Sequence, residues 1–348
     1  LSEAGLSILR SAENVEVVYK PGLKEAELAE TIPGFHALVI RSGSKVTAKV
    51  IEAATDLKVI GRAGIGVDNV DVTAASHRGI VVMNTPTGNA VTTAEHAIAL
   101  LLAIARKIPQ ATASMRAGKW EKNKFQGREL AGKTLGLIGL GNIGRIVADR
   151  AMGLKMKVIA YDPMVTAERA AELGVELVSL DDLWARSDAI TVHTPLTNET
   201  RGLVNDAVIA KMKKGVLLVN CARGGIYDEA ALLRGLESGQ LGGVALDVFV
   251  EEPPGLIPLL EREDVVCTPH LGASTEEAQE RVALQIAEQV VAYLQTGTIT
   301  NAVNVPSVSQ EVAPRLKPYV ELARRLGSFL TQVEKKAPRT IEVACTGE

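Results

Sequence analysis

The chain has 348 residues, of which 47% are hydrophobic and 23% charged, and its formal net charge is −3. That length predicts about two domains with full cores, and the small negative charge argues against nucleic acid or an anionic membrane as a partner.

The three cysteines (Cys221, Cys267 and Cys345) are scattered, so we expect neither a disulfide framework nor a metal site. The longest apolar run, 97–105, is too short to cross a bilayer, and the N-terminus lacks the layout of a secretory signal. The composition therefore predicts a globular cytoplasmic protein.

The first 86 residues predict a small domain of alternating strands and helices. β-branched-rich runs and helical patterns follow one another along this segment. The predicted strands are 15–19, 36–41, 58–61 and 80–84, and the predicted helices are 24–31, 49–54 and 72–77. A further helix is predicted from Ser2 to Arg10, where an α/β domain would normally present a strand. We therefore expect the first strand of this domain to be missing.

Two more helices and a basic loop are predicted next. Thr92-Thr93-Ala94-Glu95 matches a capping box and predicts a long apolar helix that starts there and ends near Arg106. His96, which lies within it, is expected to be a core or interface residue. A second helix is predicted at 109–118, and the basic aromatic segment 119–125 is expected to be a solvated or subunit-contact loop.

The most specific motif is glycine-rich and lies at 139–144. Gly139-Leu140-Gly141-Asn142-Ile143-Gly144 follows an apolar run and opens a predicted helix, and Asp162 ends the next strand-like run. In such a motif the first glycine makes a tight turn, the second lets the backbone approach a pyrophosphate, and the third lets helix and strand pack closely. The helix N-terminus offers N–H groups to phosphates, and the acid accepts hydrogen bonds from ribose hydroxyls. Together these features predict a dinucleotide-binding domain.

From 132 to 270 the sequence predicts a second α/β series around this motif. Its strands are predicted at Leu135, Val158, Val175, Ile190, Val216, Val244 and Val265. A long helix is predicted at 275–295, and 301–306 is interpreted as a linker. Residues 340–345 are typical of a strand that stops soon after it begins, so we interpret the chain as a fragment of a longer protein.

Three polar residues follow predicted strands of this second series. Arg223, Glu252 and His270 each lie in a turn rich in glycine or proline. An arginine offers a planar fork to a carboxylate, and a histidine beside a carboxylate can exchange a proton near neutral pH. The trio therefore suits oxidation of an alcohol next to a carboxylate. A structural ion pair between Arg223 and Glu252, with His270 capping a helix, is an alternative that spacing alone leaves open.

These motifs together resemble the D-isomer-specific 2-hydroxyacid dehydrogenase family. Besides the trio downstream of the glycine motif, the resemblance is carried by Arg41-Ser42 and by segments 61–69, 120–125 and 270–275. It covers the chain to about Pro306 and implies an α/β fold with two doubly wound parallel-sheet domains. A Rossmann NAD-binding domain (87–272) would be inserted into a smaller flavodoxin-like substrate domain (1–86 and 273–302). Residues 303–348 would be a linker and the truncated start of a further C-terminal domain.

The resemblance implies NAD as the cofactor and a role for each matched position. Asn142 and Ile143 would contact the pyrophosphate, and Asp247 would accept a hydrogen bond from the nicotinamide carboxamide. Asp162 would select NAD, because a carboxylate there repels the extra phosphate of NADP. The full set of implied cofactor-binding residues is Ile65, Gly139, Gly141, Asn142, Ile143, Gly144, Asp162, Thr194, Cys221, Ala222, Arg223, Asp247, His270, Gly272 and Ala273.

The resemblance also implies the chemistry and the partners. His270 would be the general acid and base, Glu252 its partner, and Arg223 the group that binds the substrate carboxylate. The implied substrate is a small phosphorylated 2-hydroxy acid, and the residues that would bind it are Arg41, Ser42, Arg62, Asn89, Arg223, His270 and, in trans from a second subunit, Lys122. The implied assembly is a homodimer or homotetramer with no metal, no nucleic acid and no membrane partner.

Two alternatives stay open. A dehydrogenase for an unphosphorylated D-2-hydroxy acid, or one that reduces 2-oxoglutarate, would share these motifs and differ at the anion pocket of Arg41, Arg62 and Lys122. Some relatives keep this fold and its NAD site yet act as corepressors of transcription, which a turnover assay with NAD would reveal.

Overall fold

The chain folds as two compact units, and the computed structural model describes residues 1–306 and 313–333. Unit 1 contains Leu1–Thr85 and the described residues from Ala283 onwards, and unit 2 contains Pro86–Val282. Unit 2 is thus an insertion into unit 1 along the sequence. In the described ranges no helix is long and apolar enough to span a membrane.

Unit 1 is built on a parallel three-stranded sheet. Its strands β1 (Ala37–Ile40), β2 (Val59–Arg62) and β3 (Val81–Met83) lie in that order, each close to a predicted strand. The helices before and between them are α1 (Glu3–Ser11), α2 (Glu25–Thr31), α3 (Ala48–Ala53) and α4 (Val72–His77). Apolar side chains of α2, α3 and the strands, such as Leu28, Val50 and Ile60, form one buried core. That burial stabilises each short strand, which alone could not persist.

One strand predicted for unit 1 is absent, and one segment interpreted as a linker contacts the sheet. Residues 15–19 form no strand, because a strand needs a hydrogen-bonded neighbour and no described strand pairs with this segment. In segment 301–306, which we interpret as a linker, the Val303 N–H donates to the carbonyl of Val82 over 2.8 Å. Asn304 Oδ1 in turn accepts from the Val82 N–H at 2.9 Å, so this segment borders β3. The strand predicted at 340–345 lies outside the described residues.

Unit 2 contains a parallel seven-stranded sheet. Its strands, each at or beside a predicted position, are β4 (Thr134–Ile138), β5 (Lys157–Tyr161), β6 (Glu176–Leu177), β7 (Ala189–Val192), β8 (Val216–Asn220), β9 (Leu241–Leu246) and β10 (Val265–Cys267). They lie in the order β10-β9-β8-β7-β4-β5-β6. The chain therefore reverses its direction of winding between β4 and β7, the point where sheets of this type bind ligands at the carboxyl ends of their strands.

Helices cover both faces of the unit 2 sheet. The helices of this unit are α5 (Ala90–Arg106), α6 (Ile108–Arg116), α7 (Asn142–Gly153), α8 (Ala167–Glu172), α9 (Leu180–Arg186), α10 (Asp206–Ile209) and α11 (Glu229–Glu237), with short 3₁₀ turns at Lys122–Phe125 and Pro258–Glu261. One apolar cluster joins the strands to α5, α7 and α8, and a second joins them to α9, α10 and α11. This two-sided winding confirms the predicted Rossmann-type fold.

The predicted start of the helix that became α5 is wrong by two residues. The helix begins at Ala90, and Thr92 and Thr93 lie buried inside its first turns. The Thr93 hydroxyl donates to the carbonyl of Asn89 (3.0 Å), as hydroxyls within helices do, instead of capping the N-terminus. The spacing from Thr92 to Glu95 matches the capping pattern, but the N-cap position is occupied by Asn89, directly before the first helical residue.

Two long helices complete the described chain. Helix α12 (Glu276–Thr296) begins in unit 2 and ends in unit 1. Helix α13 (Ala313–Val333) exposes apolar side chains at Tyr319, Leu322, Leu326 and Phe329.

Candidate active site

The glycine turn after β4 is shaped for a dinucleotide. A Cβ on Gly144 would lie 2.0 Å from the carbonyl oxygen of Gly139, and one on Gly139 would lie 2.7 Å from the carbonyl oxygen of His193. Both glycines are therefore required by close backbone packing. A Cβ on Gly141, by contrast, would meet no atom within 4 Å. The second glycine faces open space at the N-terminus of α7, which is where a pyrophosphate needs access to backbone N–H groups.

Asp162 follows β5 beside this turn. Its Oδ2 accepts from the backbone N–H of Leu140 (2.7 Å), and its Oδ1 accepts from that of Met164 (2.8 Å). The carboxylate is thereby fixed next to the glycine turn, and each oxygen still has a lone pair for a ribose hydroxyl. The Asn142 side chain donates to the carbonyl of Pro86 (3.2 Å), while Ile143 is half-buried in the first turn of α7.

Two buried polar atoms at the end of β7 lack a hydrogen-bond partner among the described residues: His193 Nδ1 and Thr194 Oγ1. Burial lowers the pKa of His193 to about 3, so the ring is neutral at physiological pH. Its Nε2 already bonds the Thr191 hydroxyl at 3.0 Å. Unsatisfied buried polar atoms are costly, and a polar ligand at this position would relieve that cost. These atoms, together with the open Gly141, fit a bound dinucleotide.

Arg223 lies in a turn after β8 that Asn220 holds. The buried Asn220 accepts from the Ala222 N–H (2.9 Å) and donates to the Arg223 carbonyl (2.8 Å). At Gly224 a Cβ would stand 1.8 Å from the carbonyl oxygen of Phe249. Only glycine lets this turn approach the loop that leads to Glu252. The Arg223 side chain is half-buried, and its Nη1 donates to the Ala222 carbonyl at 2.6 Å.

Glu252 and His270 are brought together, as the sequence predicts. His270 Nδ1 lies 2.7 Å from Glu252 Oε2, and Glu252 Oε1 accepts from the Phe249 N–H (3.1 Å). Because the carboxylate accepts from Nδ1–H, the basic nitrogen of a neutral His270 is Nε2. The His270 ring is about half exposed, so Nε2 can reach a ligand. His270 also has a φ of 55°, a left-handed conformation that is costly for a side chain larger than glycine.

Asp247 is buried at the end of β9 and holds the turn that bears His270. Its Oδ1 accepts from the Thr268 hydroxyl (2.5 Å) and the Leu271 N–H (2.7 Å), and its Oδ2 accepts from the Gly272 N–H (2.7 Å). Oδ2 keeps one lone pair for a donor such as a carboxamide. Ala273 follows directly in this turn.

Cys221 is buried beside this network. Burial raises the pKa of its thiol, and the nearby charge of Asp247 raises it further. The thiol is therefore protonated at physiological pH and a poor nucleophile. Cys221 and the buried Ala222 supply apolar lining after β8, and they offer no acid, base or nucleophile.

The remaining predicted residues fall in two places. Arg41 and Arg62 lie in unit 1 at the carboxyl ends of the neighbouring strands β1 and β2. The Arg41 loop, which includes Ser42, is held by Asn69, whose Nδ2 donates to the carbonyls of Arg41 (2.9 Å) and Ser44 (2.6 Å). The loop containing Ile65 is held by Asn84 and Thr85, which bond the Ile65 carbonyl (2.6 Å) and the Gly64 N–H (2.8 Å).

Asn89 and Lys122 belong to unit 2. Asn89 precedes α5, and its Oδ1 is buried with no hydrogen-bond partner among the described residues. Lys122 begins the exposed 3₁₀ turn Lys122–Phe125, and the neighbouring Trp120 is 81% exposed. A tryptophan so open to water in a basic loop is typical of a contact surface.

Two histidines at the site were missed by sequence reasoning. His96 was expected to be a core or interface residue, yet its Nε2 lies 3.2 Å from Asp247 Oδ1 and 3.0 Å from Thr268 Oγ1. No local pattern signals this contact, because it joins α5 to strands about 150 residues later in the chain. His193 directly follows a predicted strand, as Arg223, Glu252 and His270 also follow predicted strands. That position could have indicated a site residue.

Comparisons with known proteins agree with this geometry. Residues 98–272 match the family model of the D-isomer specific 2-hydroxyacid dehydrogenase NAD binding domain. The chain is 49% identical to the D-3-phosphoglycerate dehydrogenase of Archaeoglobus fulgidus, over 100% of this chain and 66% of that protein. The structure of a glyoxylate reductase from Paecilomyes thermophila is similar with a TM-score of 0.80 and 32% identity, covering 87% of this chain and 94% of that one. A D-lactate dehydrogenase from Aquifex aeolicus, complexed with NAD and lactic acid, has a TM-score of 0.73 and 29% identity, covering 82% and 91% of the two chains.

The chain therefore belongs to the D-isomer specific 2-hydroxyacid dehydrogenase family. The matched segment is the NAD-binding domain of that family, and NAD is accordingly the cofactor of unit 2. The chain spans 66% of the length of its archaeal relative and 62% of that of the human D-3-phosphoglycerate dehydrogenase, to which it is 50% identical.

Proposed function

We propose that this chain catalyses the NAD-dependent oxidation of D-3-phosphoglycerate to 3-phosphohydroxypyruvate, the first step of L-serine biosynthesis. The observation that carries the proposal is the 2.7 Å hydrogen bond between His270 Nδ1 and Glu252 Oε2 at the sheet edge that also bears the dinucleotide turn. A histidine oriented by a carboxylate suits the removal of a proton from an alcohol. The choice of substrate is supported by the likeness to the Archaeoglobus fulgidus enzyme, which is named for it.

The reaction uses the residues of unit 2 in distinct roles. NAD, when bound, supplies the acceptor for the hydride that leaves C2 of the substrate. His270 Nε2 takes the proton of the C2 hydroxyl, and Glu252 stabilises the imidazolium that results. Arg223 binds the substrate carboxylate with its guanidinium fork and polarises the C2 oxygen. Gly139, Gly141, Asn142, Ile143 and Gly144 hold the pyrophosphate, and Asp162 accepts from the ribose hydroxyls.

The cationic residues bind the phosphate of the substrate. Arg41 and Arg62 lie on the same edge of the unit 1 sheet because β1 and β2 are parallel neighbours with Ile40 opposite Arg62. Two guanidinium groups can bind a phosphate through paired hydrogen bonds. We assign Ser42 and Asn89 to the same ligand, and Lys122 of a second subunit supplies a third cation.

The assembly proposed is a homodimer or homotetramer in the cytoplasm. The exposed loop at Trp120 and Lys122 supports a subunit contact. The scattered cysteines support a reducing compartment.

A substrate panel tests the proposed function. Initial rates of NAD reduction are measured for D-3-phosphoglycerate, D-glycerate, D-lactate and D-2-hydroxyglutarate, with L-lactate as the stereochemical control. We expect kcat/KM for D-3-phosphoglycerate to exceed that for D-glycerate by at least about 100-fold, because a substrate without the phosphate loses its charge-assisted hydrogen bonds to Arg41, Arg62 and Lys122. A higher value for an unphosphorylated acid would contradict the substrate assignment. Absence of turnover with every acid would contradict the catalytic proposal itself.

A further inference from the structure

The turn that bears His270 depends on Asp247. Three groups of this turn bond the Asp247 carboxylate: the Thr268 hydroxyl and the backbone N–H groups of Leu271 and Gly272. These residues lie on both sides of His270, which has the left-handed φ of 55°. A strained conformation persists only where its surroundings determine it strongly. The hydrogen bonds to Asp247 hold the turn, and with it His270, in this conformation.

His96 joins this network from a different element. It lies in α5 between the buried residues Ala94 and Ala97, so its position is fixed by the core of unit 2. Its Nε2 lies 3.0 Å from Thr268 Oγ1 and 3.2 Å from Asp247 Oδ1. Its side chain is 20% exposed.

The direction of the hydrogen bonds follows from the partners. The Thr268 hydroxyl proton is directed at Asp247, so the Thr268 oxygen is left as an acceptor. An ionised carboxylate only accepts. His96 Nε2 must therefore carry a proton and donate it to this pair. Burial disfavours the ionised form of Asp247, but the hydrogen bonds from His96, Thr268, Leu271 and Gly272 outweigh it and lower its pKa.

We infer that His96 is a positioning residue for the catalytic histidine: through its Nε2–H it fixes Thr268 and Asp247, and thereby the orientation of the His270 turn. The inference rests on the proposed function, since it assigns His96 to the same reaction. His96 touches neither substrate nor cofactor in this role. Its loss would leave the fold and the dinucleotide turn in place and would misalign His270 Nε2 with the substrate hydroxyl, and misplacement of a catalytic group by a fraction of an ångström is costly to the rate.

The test compares two substitutions at one position. His96→Leu keeps the bulk of the ring and removes the donor, whereas His96→Gln keeps an N–H donor near the position of Nε2. We expect His96→Leu to lower kcat with D-3-phosphoglycerate about tenfold while KM and the Kd for NADH stay within about twofold. His96→Gln should recover most of kcat. Glu95→Leu, the exposed neighbour on α5, is the control and should match the wild type.

The readouts separate positioning from general stability. Rates are taken well below the unfolding midpoint of each variant and are normalised to the NADH-binding stoichiometry, so a loss of folded protein does not lower kcat. If His96→Leu keeps the kcat of the wild type, or if His96→Gln loses as much as His96→Leu, the inference is wrong. Failure of the proposed function would appear differently, as absence of turnover in the wild-type chain.

Discussion

The carboxyl edge of the unit 2 sheet has two halves that are built by different means. The cofactor half, at the ends of β4, β5 and β7, is shaped by main-chain packing, such as the close approach of Gly144 to the Gly139 carbonyl. The catalytic half, at the ends of β8, β9 and β10, is shaped by side chains: Asn220 holds the Arg223 turn, and Asp247 holds the His270 turn.

This difference follows from what each half does. A pyrophosphate is bound by backbone N–H groups, so the requirement there is the absence of side chains. Proton transfer requires one nitrogen to be oriented accurately, and side-chain hydrogen bonds supply that accuracy. The glycine turn of the cofactor half should therefore fail when atoms are added, and the turn that bears His270 should fail when polar atoms are removed.

The largest effect is expected at His270. His270→Gln removes the group proposed to accept the substrate proton, so kcat should fall by about 10³-fold. The Kd for NADH should stay within about twofold, because the cofactor half is unchanged. Steady-state rates and fluorescence titration with NADH measure the two quantities. Retention of the wild-type kcat would show that another residue takes the proton.

A matched pair of glycine substitutions probes the cofactor half. Gly144→Ala places a methyl group 2.0 Å from the Gly139 carbonyl oxygen, and it should lower the free energy of unfolding by about 3 kcal/mol. Gly141→Ala enters open space and should change that free energy by less than about 0.5 kcal/mol. It should nevertheless weaken NADH binding about tenfold, because the methyl group lies where the pyrophosphate approaches. Denaturant unfolding measures the free energy of unfolding of each variant, and titration with NADH measures its Kd. Equal stability of the two variants would contradict the close packing of Gly144.

Asp247→Asn tests whether the catalytic half depends on a charge. Charge-assisted hydrogen bonds are lost, so the free energy of unfolding should fall by about 2 kcal/mol at pH 7. The pKa of Asp247 in the folded protein is lowered from 3.8. The ionised carboxylate therefore stabilises the native state fully above about pH 5, and this stabilisation is lost as the pH falls below 3.8 toward the lower pKa of the folded state. The difference between wild type and variant should narrow only in that acid range, and narrowing toward alkaline pH would refute the assignment.

The smallest effect is expected at Lys122, outside both halves. Lys122→Ala should raise KM for D-3-phosphoglycerate about fivefold, leave the Kd for NADH unchanged, and matter less at high salt because screening weakens the contact. Mixed dimers of Lys122→Ala and His270→Gln subunits give the sharper result. One site of such a dimer has both His270 and the Lys122 of the other subunit, so activity at low substrate should exceed that of either parent. Demonstrated subunit exchange without this recovery would place Lys122 outside the partner's site.

The sequence predicted the cofactor half better than the catalytic half. Gly139, Gly144 and Asp162 act over short distances along the chain, so their spacing carries the geometry. Glu252 and His270 could be placed because parallel strands end at one edge. The residues that hold His270 in place could not be predicted. His96 lies in α5 and contacts Asp247 at the end of β9, and no local sequence pattern links the two.

Two features of unit 1 could not be predicted for the same reason. Segment 15–19 has the composition of a strand, but strand formation depends on a partner that local sequence does not supply. The segment at 301–304 reads as a linker because its contacts with β3 join residues more than 200 positions apart. Tertiary contacts of this kind are invisible to periodicity.

The path of the C2 hydrogen distinguishes hydride transfer to NAD from removal of that hydrogen as a proton. D-3-phosphoglycerate deuterated at C2 is incubated with NAD and the wild-type chain, and the reduced cofactor is analysed by mass spectrometry. We expect one deuterium per reduced cofactor, because the hydride passes from C2 while His270 takes only the hydroxyl proton. Reduced cofactor without deuterium, or deuterium released to water, would contradict it.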